Sequence, residues 1–243
     1  MSYTFTLKGI GSELSARFFP PIQLEDYATY SMGSIDLETF NSIPNIEPGC
    51  DKFYYIIDDA TGKTQSITIP AGSYDIRDIE KFLHDELGSP DKLKLRANAN
   101  TLKSELKSKF KIDFSPPDSI ARILGFSPPA KPGQFLEADK WHVSDKPVDI
   151  LKVSVIRVEC NIVTGSYING EDAHIVHEFF PNVPPGVKII EVPSNVIYLP
   201  INTKSIDSLF VRLLDQNGQL INFRDEVVTL RLHLRKDGFG FRK

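Results

Sequence analysis

The sequence predicts a mainly β protein: a single jelly-roll antiparallel β-sandwich with one or two short helices and long Pro-rich loops. Three observations predict it. Apolar residues alternate with polar ones at a period of two in several segments, the pattern of strands with one buried face. Turn signals separate short strand-like runs, and the 17 prolines gather in loops, as in Pro20-Pro21, Pro116-Pro117, Pro128-Pro129 and Pro184-Pro185. Strands and helices do not alternate, which argues against a doubly wound α/β sheet and for a sandwich or barrel.

The clearest strand closes the chain. Val228, Leu230, Leu232 and Leu234 alternate with Thr229, Arg231, His233 and Arg235, so the four apolar residues are expected to face a core. Residues 102–114 carry the same pattern for longer. Leu102, Leu106, Phe110, Ile112 and Phe114 share one parity with Ser104 and Ser108; Lys103, Glu105, Lys107, Lys109, Lys111 and Asp113 share the other. Residues 150–163 change phase between Val155 and Ile156, which predicts a bulge or bend there. Further strands are expected at 53–58, 64–69, 187–192, 195–201 and 207–215. Turns are expected at 58–63, at Asn169-Gly170 and at Asn217-Gly218, the last a hairpin signal because both residues tolerate positive φ.

Two helices are expected. Asp75 is placed to cap one over 76–87, with Ile76, Ile79, Phe82, Leu83 and Leu87 as its apolar stripe, Gly88 as its stop and Pro90 beyond. Asp118 is placed to cap a shorter one carrying Ile120, Ile123 and Leu124 and ending at Gly125. The chain reads as one domain over 1–243, with residues 127–147, a long loop by composition, as the candidate boundary between two halves.

Composition is that of a globular protein, 41% hydrophobic and 25% charged. A net charge of −4 is not the footprint of a general nucleic-acid binder. The basic C-terminal residues Arg231, Arg235, Lys236, Arg242 and Lys243 read as solvated positions on a last strand and tail, with weak contact to nucleic acid as the alternative. Cys50 and Cys160 read as reduced thiols, the latter in an apolar strand. There is no Asn-x-Ser/Thr acceptor, no apolar signal region in the first residues and no membrane-length apolar run. Synthesis in an intracellular, reducing compartment is therefore expected.

Glu171, Asp172, His174, His177 and Glu178 form the one cluster with metal-ligating chemistry, since two imidazoles three residues apart meet one ion on a helical turn. The spacing is not HExxH, and the segment runs from Asn169-Gly170 into Phe179-Phe180-Pro181, so an exposed polar loop is expected instead. Gly9-Ile10-Gly11 reads as a turn. No GxSxG elbow, phosphate loop or acid/base pair is present, so no catalytic, cofactor-binding or metal-binding residue is assigned. Trp141, Phe179 and Phe180 sit among prolines and polar residues, and exposed loop aromatics are common interface anchors, so these three are the candidate subunit contacts.

Six strings together resemble a known family. They are RFFPPIQL (17–24), SIDLETFNSIPNI (34–46), IPAGSYDIRDIEKFL (69–83), SIARILGF (119–126), the long run 155–202 containing VIRVECNIVTGSYINGEDAHIVHEFFPNVPPG, and VTLRLHLR (228–235). The series covers almost the whole chain and resembles the penton-type, single jelly-roll minor capsid protein of Polinton/Maverick elements and their adintovirus and virophage relatives. The resemblance implies a structural role in an icosahedral particle: five copies at each vertex, beside the major capsid protein of the same element, without catalytic residues or cofactors. It places the protein in the virion, after synthesis in the host cell, and implies no membrane contact. Two other function classes stand against it. One is a ligand- or carbohydrate-binding β-sandwich, for which Trp141-His142 is the nearest thing to a cluster. The other is a cupin-like metal enzyme using His174, His177 and Glu178.

Overall fold

A computed structural model describes residues 2–57, 62–129, 131 and 133–239. The chain divides into two compact units. The first comprises 1–43 and 153–243, and the second, 44–152, is inserted between them in sequence. Both boundaries lie outside residues 127–147, which belong to the second unit.

The first unit begins with β1 (Ser2–Ile10), β2 (Glu13–Gln23) and β3 (Ala28–Phe40). The second contains β4 (Lys52–Ile56), β5 (Thr64–Thr68), α1 (Ile76–Leu87), β6 (Leu93–Asn98), β7 (Lys103–Ser108), β8 (Lys111–Asp113) and β9 (Trp141–Pro147). The first unit resumes with β10 (Ile156–Cys160), β11 (Ser166–Ile168), β12 (Glu171–Ala173), β13 (Ile175–Phe179), β14 (Lys188–Glu191), β15 (Leu199–Pro200), β16 (Ser205–Leu214) and β17 (Val227–Phe239).

The first unit is a jelly roll. One sheet runs β1-β17-β3-β14, with β15 also on β3, and the other runs β13-β10-β16-β2. All these pairs are antiparallel, and they nest: β1 with β17, β2 with β16, β3 with β14, β10 with β13. That is one long hairpin rolled up, closed by β17 on β3 and β10 on β16. The inward residues of both sheets share one core, including Leu7, Leu14, Met32, Leu37, Val158, Val211, Leu213, Leu230 and Leu234. Val228, Leu230, Leu232 and Leu234 are all fully buried, as the alternation requires.

Two hydroxyls in this core lack partners. Ser34 Oγ and Thr39 Oγ1, both inward on β3, make no hydrogen bond. A buried polar atom without a partner keeps its desolvation cost. Ser34→Ala and the isosteric Thr39→Val are therefore expected to stabilise the sandwich by about 1 kcal/mol each. Urea unfolding would show this as a raised midpoint; a lowered one would mean that the hydroxyls are satisfied.

The second unit has its own core, around Phe53, Ile69, Ile79, Leu83, Leu95, Leu106, Ile112, Ile120 and Leu124. It holds two three-stranded sheets, β5-β4-β8 and β6-β7-β9, and α1. Helix α1 has the expected bounds. The Asp75 side chain accepts from the backbone N–H of Arg77 and Asp78 at 2.7 and 2.8 Å, Asp78 answers the backbone N–H of Asp75, and Gly88 ends the helix at φ +74°. Its stripe packs into this core, beside β6.

Several expectations need correction. The single strand over 102–114 is two, β7 and β8, in different sheets, because the chain breaks at Lys109-Phe110; its parity survives from Ser104 to Phe114. Leu102 is 60% exposed and has φ +57°, a turn residue and not the first residue of the strand. Residues 151–155 are not a strand, and the irregularity in β10 falls between Val158 and Glu159. The segment after Asp118 is a run of turns, not a helix. The Asp118 carboxylate does not cap it but accepts from Lys52 Nζ at 2.7 Å and Tyr54 Oη at 2.9 Å, and these donors, Lys52 first, hold its pKa below the usual 3.8. Of the strand expected at 195–201 only Leu199–Pro200 forms one, on β3, and Ile201 adds a single bridge to Val163. The turn at Asn217-Gly218 forms, closed by Asp215, but its second arm is a single bridge, Leu214 to Leu220. Of the expected turn at 58–63, residues 58–61 lie outside the described residues.

Candidate functional site

The cluster at 171–178 is distributed over strands instead of lying in a polar loop. Asn169 and Gly170, at φ +52° and +89°, turn β11 into β12, which carries Glu171 and Asp172. The His174 Nδ1 bonds the Val163 carbonyl. On β13, His177 Nε2 lies 3.0 Å from Glu191 Oε1, and Glu178 meets Arg157 at 3.4 Å. His174, His177 and Glu178 thus each have a separate structural partner. Among the described residues no three His, Cys, Asp or Glu side chains are grouped to hold a metal ion.

Cys160 offers no nucleophile. It is buried in the sandwich, and burial pushes its thiol up to about 11, far from thiolate at neutral pH. Cys50 is half-buried, and both thiols are free. No helix among the described residues is long and apolar enough to cross a membrane.

The basic residues of β17 are more than a solvated face. Arg231 forks onto Asp36 at 2.8 Å, Lys236 reaches Glu25 at 2.6 Å, and the Arg235 guanidinium lies 3.7 Å from the Tyr198 ring centroid. On the opposite sheet Arg212 forks onto Glu159 at 2.8 and 2.9 Å. Such pairs satisfy their charges locally. Arg242 and Lys243 lie outside the described residues.

The three candidate contact residues separate. Phe179 is 6% exposed, paired with Ile156 across β13 and β10 and stacked on His177, so it is a core residue of the sandwich and not a surface anchor. Phe180, the next residue, is 71% exposed. Trp141 is 43% exposed and stands on strand β9 instead of in a loop, with the Arg96 guanidinium 4.4 Å from its ring centroid. It borders two hollows of the inserted unit. One, about 400 Å³, is walled by lysines; the other, about 660 Å³, is lined by Phe114, Phe126, Phe135, His142 and Val143.

The sequence reading missed other exposed apolar groups. Phe19 on edge strand β2 is 99% exposed. Strand β14 ends the other sheet, and Ile190 on it, Val187 and Val192 at its two ends and Phe40 opposite it on β3 are all exposed. Edge strands with apolar side chains are ready surfaces for another chain. The tandem phenylalanines in RFFPPIQL carried the signal, since neighbouring strand residues face opposite ways.

These features define a class: a jelly-roll sandwich, interrupted in sequence after its third strand by a second β unit, with apolar side chains exposed at its sheet edges. A solved structure shares the fold. The chain is similar to the mavirus penton protein, seen in a crystal structure, with a TM-score of 0.50 and 14% identity over 97% of this chain and 99% of that one. No family model matches the sequence, and no curated protein does.

Proposed function

We propose that the chain is a structural, non-enzymatic subunit of an icosahedral particle: a penton-type minor capsid protein that forms the vertices as a ring of five. The observation that carries this reading is the jelly-roll topology, in a likeness to a penton protein that runs over nearly the full length of both chains. The sequence resemblance to the capsid proteins of Polinton/Maverick elements and of adintovirus and virophage relatives supports the same origin. The partners are then four further copies and the major capsid protein, and the working location is the virion. The protein has no role at a membrane.

The surfaces suit such assembly. A five-fold ring needs one patch to meet a different patch on the next copy, because it has no two-fold contacts. Exposed Phe180, the β14 edge with Ile190, and Phe19 on β2 are unlike surfaces of the same sandwich. A carbohydrate-binding sandwich is less well supported. It needs aromatic and polar side chains converging on one concave face, whereas ion pairs such as Arg231–Asp36 and Arg212–Glu159 occupy the outer faces.

Solution mass across concentration, with and without the major capsid protein of the same element, tests the proposal. A pentamer, or a monomer that enters particle vertices, is expected. Ile190→Asp, on an exposed side chain, should leave the monomer folded and reduce incorporation. A chain that stays monomeric and never joins particles would overturn the reading.

A further inference from the structure

Residues 92–111 contain seven basic side chains, Lys92, Lys94, Arg96, Lys103, Lys107, Lys109 and Lys111, against one acid, Glu105. This stretch is net +6 in a chain whose net charge is −4. Strand alternation sorts it. Leu93, Leu95, Ser104, Leu106 and Ser108 are buried in the inserted unit, so Lys94, Arg96, Lys103, Glu105 and Lys107 share the outward face of β6 and β7. Strand β9 extends that face with Trp141 and Val143. The register gives two rows, Lys94–Lys107–Trp141 and Arg96–Glu105–Val143.

The second row is internally neutral: Arg96 meets Glu105 at 2.6 Å, and its guanidinium also lies over the Trp141 indole. The first row is not. Lys94 and Lys107 stand directly opposite each other, and neither makes an ion pair within 4 Å with another of the described residues. Like charges at directly opposed positions destabilise a sheet. Beside them lies the hollow of about 400 Å³ walled by Lys92, Lys94, Lys107, Lys109 and Trp141, with Asp91 and Asp139 also in its lining. Asp139 is held by Lys109 at 2.8 Å, and Lys107 adds to the field around it.

We propose that this face of the inserted unit is a docking surface for a sulfated polysaccharide. Uncompensated ammonium groups suit sulfate esters, an indole suits the apolar face of a sugar ring, and the interleaved carboxylates accept hydrogen bonds from sugar hydroxyls. A single-stranded nucleic acid fits less well. It is held by stacking successive bases on several aromatics, and this face offers a single indole, Trp141. The inference does not depend on the capsid reading, since it concerns one sheet of the inserted unit.

Trp141 is the sole tryptophan of the chain, so its fluorescence reports on this face. Titration of the full chain with size-fractionated heparin should shift that emission, with binding that weakens as salt rises. Uncharged dextran should have no effect. Removing two ammonium groups in Lys94→Gln with Lys107→Gln should weaken heparin binding about tenfold or more, while the unfolding midpoint holds or rises. Lys8→Gln with Lys81→Gln removes the same charge elsewhere and should leave binding unchanged. Equal loss in both double variants, or heparin binding with no change in tryptophan emission, would overturn the proposal. So would an oligothymidylate that binds as tightly as heparin of equal charge, which would assign the face to nucleic acid.

Discussion

Leu232→Ala is expected to destabilise the sandwich by about 2–5 kcal/mol, the range for emptying a fully buried leucine site. Leu232 lies on β17, which has strands on both sides, opposite Phe5 on β1 and Ser34 on β3. Its side chain is completely buried between the two sheets. Neither neighbouring strand is free to move into the space, so the cavity would persist. The only tryptophan lies in the inserted unit, so its fluorescence would report the wrong transition. Hydrogen exchange of the β17 amides, read in urea, follows the sandwich directly. A loss below about 1 kcal/mol would mean that the site collapses or that the register differs, since a one-residue slip would turn all four apolar residues of this strand to solvent.

Local order was legible where one residue type forces one geometry. Asp75, the stripe from Ile76 to Leu87 and Gly88 define α1 to the residue. Val228 to Leu234 define the inward face of β17, and Asn169-Gly170 defines a tight turn. What was not legible was which core a face belongs to. The parity from Ser104 to Phe114 is continuous in sequence, yet it passes from one three-stranded sheet to another across Lys109-Phe110, because a period of two says nothing about the neighbour across the ladder. For the same reason the second unit, 44–152, did not stand out: its apolar residues alternate as those of the sandwich do, but they converge on a separate core.

The three candidate contact residues differ in exposure: Phe179 is a core residue, while Phe180 and Trp141 are exposed. Phe179, the last residue of β13, faces inward and completes the core with Ile156, and Phe180, just past the strand, is left to solvent. Trp141 was singled out for the right exposure and the wrong setting. The basic face beside it was visible as a polar parity, but its lysines acquire meaning only when Lys94 is found opposite Lys107, a pairing between residues thirteen apart.

The second large effect is expected at Gly125. This residue ends the turns after Asp118 at φ +79°, and its carbonyl accepts from the Lys146 N–H at 2.9 Å. A Cβ there would lie 2.3 Å from the Lys146 carbonyl oxygen and 2.8 Å from that of Pro147. Both are backbone atoms at the end of β9, which is tied to β7 through Pro147 and Lys103. Gly125→Ala thus combines the left-handed conformation, about 1–2 kcal/mol for an L-residue, with a forced backbone shift of about 1–3 kcal/mol. Gly88→Ala is the matched control. Gly88 has nearly the same φ, +74°, but nothing lies within 4 Å of its added Cβ, so only the conformational cost of about 1–2 kcal/mol applies. Trp141 stands on β9 itself, so urea unfolding followed by its fluorescence reads both variants in the same unit. Gly125→Ala should unfold at clearly lower urea than Gly88→Ala. Equal midpoints would show that β9 yields to the methyl group, and that the close approach of the Lys146 and Pro147 carbonyls is not what requires glycine at this position.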